Sequence, residues 1–368
     1  MMKVLTIGSA MIDTIAVIGS GHIERMSMRN ADSSFLLLEE GRKTEAEEVS
    51  THIGGGAVNA AVAMARLGFD VAVLAKLGAD ERAATILAGL VKERVSTASI
   101  KRTEQLPTGA AVLVSSHERN AAIFTFRGAN TLLQSGDLDA EAFAVDVVYV
   151  ANLSNESADC FPHIVKLAKT HKALVAANPG PRQLSARGQA FFESLPAVDV
   201  LILNQGEADL LVPRLVAGGS EGGPALGVAP AENLPPLAVR GLMSGGFEMS
   251  LVAYLQALTR LGPKYVVVTD GARGAFVGSK DEIIFAAAPA VKVLSTAGAG
   301  DAFGATFAAY LALGRDAADA IAAAAINAAA VVGHVDAQTG LLGRKNLDQK
   351  IAADRGAVKR WPVQKIGA

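Results

Sequence analysis

Ser295-Thr296-Ala297-Gly298-Ala299-Gly300-Asp301-Ala302-Phe303-Gly304 is the stretch from which the rest of the chain is read. A strand-like segment, 290–294, precedes it, and an Ala-rich helix, 301–313, follows. The two glycines flanking Ala299 let the backbone approach a ligand closely. Amides at a helix start point outward, where the helix dipole favours an anion. An Asp placed there adds negative charge to an anion site, unless it accepts a proton. Backbone amides that stabilise a transferring group, beside a carboxylate that takes the proton of an attacking hydroxyl, are what phosphoryl transfer requires. On spacing alone, Asp301 could equally be a helix cap after a Gly-rich turn.

Outward from this segment, short β-rich runs alternate with helical stretches. Runs at 147–150, 174–177, 200–203, 265–269 and 274–277 read as strands, and 158–170, 183–194 and 250–261 as helices. Two Ala-rich helices, 301–313 and 316–333, follow towards the C-terminal side. On the N-terminal side, Val4–Gly8 reads as a buried strand, 57–67 as a helix opened by Gly54-Gly55-Gly56, 71–76 as a strand and 81–94 as an amphipathic helix. Segments 108–115 and 121–127 read as paired strands around a polar turn, 116–120, and 34–38 as a further strand before the charged 39–48. Strands alternating with helices predict an α/β fold with a mainly parallel sheet covered on both faces. Segment 216–246, rich in Gly and Pro and without periodicity, reads as an insertion or mobile loop.

Composition narrows the classes of function. With 51% hydrophobic and 19% charged residues in 368, the chain is a folded globular protein. A net charge of −2 offers no basic field for nucleic acid. The single cysteine, Cys160, excludes an intrachain disulfide and a thiolate metal cluster and reads as a core residue. Neither a signal peptide nor a membrane span is legible, so a cytoplasmic protein is expected. A dinucleotide-binding reading of Gly54 and Gly56 fails, because Asn59 stands at the third glycine position and Asp70 comes too early for the ribose-binding acid.

Six further short motifs fall in order along the chain: Gly8-Ser9-Ala10-Met11-Ile12-Asp13, Gly54-Gly55-Gly56-Ala57-Val58-Asn59, Asn178-Pro179-Gly180-Pro181, Asn204-Gln205-Gly206-Glu207, Val268-Thr269-Asp270-Gly271-Ala272-Arg273-Gly274 and Asn327-Ala328-Ala329-Ala330. Together with the Gly298–Asp301 segment they resemble the ribokinase-like (PfkB) carbohydrate kinase family over almost the whole chain. The resemblance implies a three-layer α/β/α sandwich with a small β lid. Residues 1–9, 51–107 and 131–368 would form the nucleotide-binding and catalytic core, and 10–50 and 108–130 the substrate lid.

The resemblance also implies an ATP-dependent kinase of a small sugar or related polyol. Asp301 would be the catalytic base, and Gly298, Ala299 and Gly300 the anion hole. Asp13, Gly55, Gly56 and Asn59 would hold substrate hydroxyls, a role that a carboxylate, open backbone and a bifunctional amide suit chemically. Asn204, Thr269, Gly271, Gly274 and Asn327 would line the nucleotide, and Glu207 would hold Mg2+ through water. Arg127 and Asn130, beyond the second lid strand, are further candidates for substrate contact. Ser295 stands where the family carries an Asp that helps bind an activating monovalent cation, so potassium activation is not implied. Gly56 stands where ribokinase itself has a Lys, so ribose is not implied either. Alternatives within the fold are a nucleoside (adenosine-like) kinase and a non-catalytic sugar or nucleotide sensor. Exposed lid edges would be covered by pairing in a homodimer.

Overall fold

The computed structural model describes residues 1–19, 24–27, 34–37, 41, 43–116, 119–219, 234–353 and 358–363. Parts of the expected polar turn 116–120, of the charged stretch 39–48 and of the Gly/Pro-rich segment 216–246 lie outside the described residues.

A nine-stranded sheet forms the centre. Strands Lys3–Ile7, Asp70–Leu74, Val147–Val150, Leu174–Ala177, Val200–Asn204 and Tyr265–Thr269 run parallel to one another. The antiparallel strands Ala275–Gly278, Glu282–Ala286 and Val358–Pro362 extend one edge. The parallel strands are apolar on both faces because both faces are covered. In the first strand, Val4 faces one core cluster, with helices Gly56–Arg66, Ala299–Ala312 and Ala317–Val332. Leu5 and Ile7 face the other, with Phe161–Thr170, Gln205–Ala217 and Leu251–Arg260. The expected three-layer sandwich is therefore present.

Strands Met11–Ile18, Ala46–Gly54, Gly109–Ser116 and Arg119–Phe126 form a separate four-stranded sheet. Met11, Asp13, Ile15 and Val17 share one of its faces, because side chains alternate along a strand. The register places Val49, Val112, Phe124 and Phe126, all exposed, on the opposite face.

Several local expectations need correction. Segment 290–294 is not a strand. Val291 and Val293 are exposed there, and the N–H groups of Leu294 and Ser295 bond to the Val332 carbonyl at a helix end. The helix expected at 158–170 is two helices, Glu156–Asp159 and Phe161–Thr170; Pro162 sits in the first turn of the second, where its missing N–H costs nothing. The one expected at 183–194 divides at Arg187 into Pro181–Ala186 and Gly188–Ser194. Within 216–246, helix Pro236–Arg240 is described, and Leu242–Ser244 pairs with Phe247–Met249.

Candidate active site

The carboxyl ends of the parallel strands lie side by side, the usual position for a ligand in an open α/β sheet. Ile7 is in register with Val150, and Val150 with Ala177, so Ser9, Asn152 and Asn178 emerge from one edge. Asn204 is in register with Thr269 further along the same edge.

The helix after the Gly298 turn begins at Ala299, two residues earlier than expected, which places Asp301 in its first turn. The turn requires glycine: Gly298 has φ +76°, and a Cβ there would lie 2.3 Å from the Cβ of Ala337. Asp301 does not serve as the cap of this helix, a position held by Gly298. Instead its Oδ2 accepts a 2.8 Å hydrogen bond from Nδ2 of Asn59, on helix Gly56–Arg66. Burial raises the Asp301 carboxyl above the usual carboxylate range, and the Asn59 bond opposes that rise. N–H groups in a first helical turn have no preceding helical carbonyl, so this end of the helix can receive an anion.

The glycine triplet is shaped by what stands against it. A Cβ on Gly54 would lie 2.0 Å from Oδ2 of Asp13, so the absence of a side chain makes room for that carboxyl. A Cβ on Gly55, which has φ +95°, would meet the Ser9 carbonyl at 2.6 Å. A Cβ on Gly56 would lie 2.8 Å from that of Ala151 and 3.4 Å from Oδ1 of Asp301. The Gly56 N–H donates to the hydroxyl of Ser9 at 3.0 Å, and that hydroxyl donates to Oδ1 of Asn152 at 3.4 Å.

Asp13 is pushed up to about 7, by burial first and by the charge of Asp301 second. Glu207 is also raised to about 7 by burial, against two hydrogen bonds from Asn204, with the Asp301 charge adding to the rise. Asn204 and Glu207 form a reciprocal capping box: each side chain accepts from the other's backbone N–H at 2.9 Å. The hydroxyl of Tyr149, fully buried, is raised by burial and by the charges of Asp301 and Glu207. Among the described residues no Lys or Arg forms an ion pair with Asp13, Glu207 or Asp301. Nor, among them, does any group of three acidic, His or Cys side chains stand ready to hold a metal by itself.

The expected residues therefore divide. Asp13, the 54–56 triplet, Asn59, Asp301 and Glu207 are brought within electrostatic or hydrogen-bonding reach of one another. Thr269, Gly271 and Gly274 lie at the neighbouring strand end, where Gly271 and Gly274 have φ +55° and +113° in a tight turn. Asn327 is different. It is fully buried, donates to the Thr306 hydroxyl at 2.7 Å and accepts from Leu342 N–H at 2.9 Å, so its side chain ties two helices to a loop. Asn130 is likewise engaged by backbone, exchanging bonds with both the N–H and the carbonyl of Ala10. Arg127 is half-buried beside Arg182, and burial and that like charge hold its pKa down. Ser9, Asn152, Tyr149 and Gln338 were not singled out from the sequence. Isolated polar residues carry no periodicity, and only their convergence in space reveals them.

The pfkB family carbohydrate kinase pattern matches residues 1–221 and 240–342, and the chain belongs to that family. It is a phosphotransferase family whose acceptor is an alcohol group. The break between 221 and 240 falls inside the Gly/Pro-rich segment. The ribokinase of Staphylococcus aureus is 24% identical over 299 residues, 80% of this chain and 84% of that protein. A bifunctional ribokinase/ribose-5-phosphate isomerase A of Fructilactobacillus sanfranciscensis is 23% identical over 306 residues, 82% of this chain but only 47% of its own length. An E. coli protein designated ribokinase II, solved with ATP and Mg2+, superposes with a TM-score of 0.71 at 17% identity, covering 96% of this chain and 100% of that one.

Proposed function

We propose that this kinase transfers the γ-phosphate of ATP to a hydroxyl of a small sugar or related polyol, with Asp301 as the general base. The observation that carries the reading is the half-buried Asp301 carboxyl at the mouth of a helix N-terminus, with Asp13 and the glycine triplet beside it. The substrate would lie between this helix end and the Asp13 face of the four-stranded sheet. Asp13 would accept from its hydroxyls. Asn59 keeps a second amide N–H for the same purpose, and Gly55 and Gly56 leave the backbone open.

Asp301 would accept the hydroxyl proton as the substrate oxygen bonds to the γ-phosphorus. The bond from that phosphorus to the β-γ bridging oxygen breaks, and ADP leaves with the electron pair. The Gly298–Gly300 amides would receive the charge of the transferring group. The nucleotide would lie along Asn204, Thr269, Gly271 and Gly274. Mg2+ fits the donor set: a cluster of carboxyls, Glu207 buried and Asp13 and Asp301 half-buried, without an ion-paired Lys or Arg among the described residues favours a divalent cation, and Mg2+ keeps much of its water rather than needing three protein ligands. Glu207 would hold it through water, and it would neutralise phosphate charge. The four-stranded sheet would close over the acceptor and exclude water, which otherwise competes for the phosphoryl group.

The test is ATP consumption against a panel of sugars, sugar acids, polyols and nucleosides with magnesium. Selective turnover of a sugar or polyol supports the reading, and selective turnover of a nucleoside replaces it. Binding of ATP and sugar without turnover of any acceptor would identify a sensor instead.

A further inference from the structure

Asn59 faces Asp301, but an amide can present either its N–H group or its carbonyl oxygen to a carboxylate, with opposite effects. Gln338 decides between them. It lies in the loop after helix Ala317–Val332, buried, where Asp336 Oδ1 accepts from the N–H groups of Gln338 and Thr339, both at 2.8 Å. The Gln338 carbonyl accepts from Arg66 at 2.6 Å, so the backbone is held from two sides. Its Nε2 lies 2.8 Å from the carbonyl oxygen of Ile53 and 3.0 Å from Oδ1 of Asn59. A backbone carbonyl can only accept, so the nitrogen end of Gln338 must face Ile53. Both of its hydrogens are then engaged, the oxygen end of Asn59 must face Gln338, and the N–H end must face Asp301.

We propose that Gln338 is a positioning residue for phosphoryl transfer, fixing the polarity of the Asn59 amide so that it donates to Asp301. The inference rests on the assignment of Asp301 as base. Without Gln338, Asn59 can turn its oxygen to the carboxylate. A stabilising hydrogen bond is then exchanged for repulsion, and the base is harder to ionise and less well aimed. The other ionisable groups that the charge of Asp301 reaches are Asp13 from the four-stranded sheet, Glu207 from helix Gln205–Ala217 and Tyr149 from the central sheet. Behind Gln338, Arg66 pairs with Glu93 at 2.8 Å, and the charge of His52 reaches Asp336. None of these is altered by replacing Gln338.

The experiment compares pH profiles of kcat/KM for wild type, Gln338→Glu and Gln338→Met, with Asp301→Asn as reference. The first substitution keeps the size of the side chain but, once ionised, leaves nothing to donate; the second fills the space without polarity. The acid limb is expected to move up by roughly one to two pH units, the worth of one hydrogen bond to a charged group, while KM for ATP stays near the wild-type value. A loss of rate equal at all pH values, or an unmoved limb in either folded variant, overturns the proposal. Wild-type activity in Asp301→Asn removes the base itself, a failure distinguishable from that of Gln338 alone. Should neither Gln338 variant fold, the side-chain amide resonances of Asn59 in the wild-type protein serve instead. They must titrate with the acid limb, and their indifference to pH there also overturns the proposal.

Discussion

Asp13 and Asp301 come from opposite ends of the chain, yet the charge of Asp301 contributes to pushing the Asp13 carboxyl up to about 7. Burial is the larger cause, so ionising Asp13 works against folding. The sign follows directly. A folded pKa raised above the ordinary carboxyl value means that the native state holds the proton more tightly than the unfolded chain. Stability is fully present below the unfolded pKa near 3.8 and is lost as pH rises through about 7.

Asp13→Asn is therefore expected to stabilise the ligand-free protein at pH 8, by on the order of 2 kcal/mol, with the gain vanishing near pH 4. Thermal denaturation at the two pH values checks it. The same variant should bind the acceptor more weakly. Equal or lower stability at pH 8 would show that the carboxylate is compensated in solution.

Asp301→Asn keeps the shape and a polar contact with Asn59 but cannot accept the proton. Turnover is expected to fall about a hundredfold or more while ATP binding persists. Calorimetry of ATP binding beside a steady-state assay separates the two. An unchanged rate would require another base.

Gly54→Ala and Gly298→Ala should affect different kinetic constants. The first pushes a methyl into Asp13, 2.0 Å from its carboxylate oxygen, and is expected to raise KM for the acceptor with little effect on KM for ATP. The second strains a residue at φ +76° by about 1–3 kcal/mol and drives a methyl into Ala337, so it should lower kcat and the melting temperature together. If Gly54→Ala raised KM for ATP and left that for the acceptor unchanged, Asp13 would not belong to the acceptor site.

The hydroxyl of Ser295 is occupied locally, accepting from the Ala297 N–H at 3.2 Å, and it brings no charge to the loop before the Gly298 turn. Replacing potassium by an organic cation at constant ionic strength is expected to leave the rate unchanged. Strong activation by potassium would mean that other oxygens of that loop complete a site without an acid.

Strands such as Val147–Val150, Leu174–Ala177 and Tyr265–Thr269 were legible because a buried parallel strand needs an unbroken apolar run. Helices Gly56–Arg66 and Leu251–Arg260 were legible to within a residue or two at their ends. Strand Val358–Pro362, in contrast, is a mixed Val-Lys-Arg-Trp-Pro run on a sheet edge. Half of its surroundings are solvent, so its pattern is weak. Segment 290–294 shows the converse error: β-branched residues without a neighbouring strand to pair with remain irregular.

By itself, then, the sequence determined the alternation of strand and helix, the glycine turn before Asp301 and the membership of a kinase family, because these rest on local spacing and on the order of short motifs. Only the tertiary structure decided which polar residues meet. It engaged the Asn327 side chain with Thr306 and Leu342, turned Asn130 onto the Ala10 backbone, and joined Gln338 through Asn59 to Asp301. The physical reason is that hydrogen bonds act over about 3 Å, and residues far apart in sequence come that close only once the sheet has gathered its strand ends.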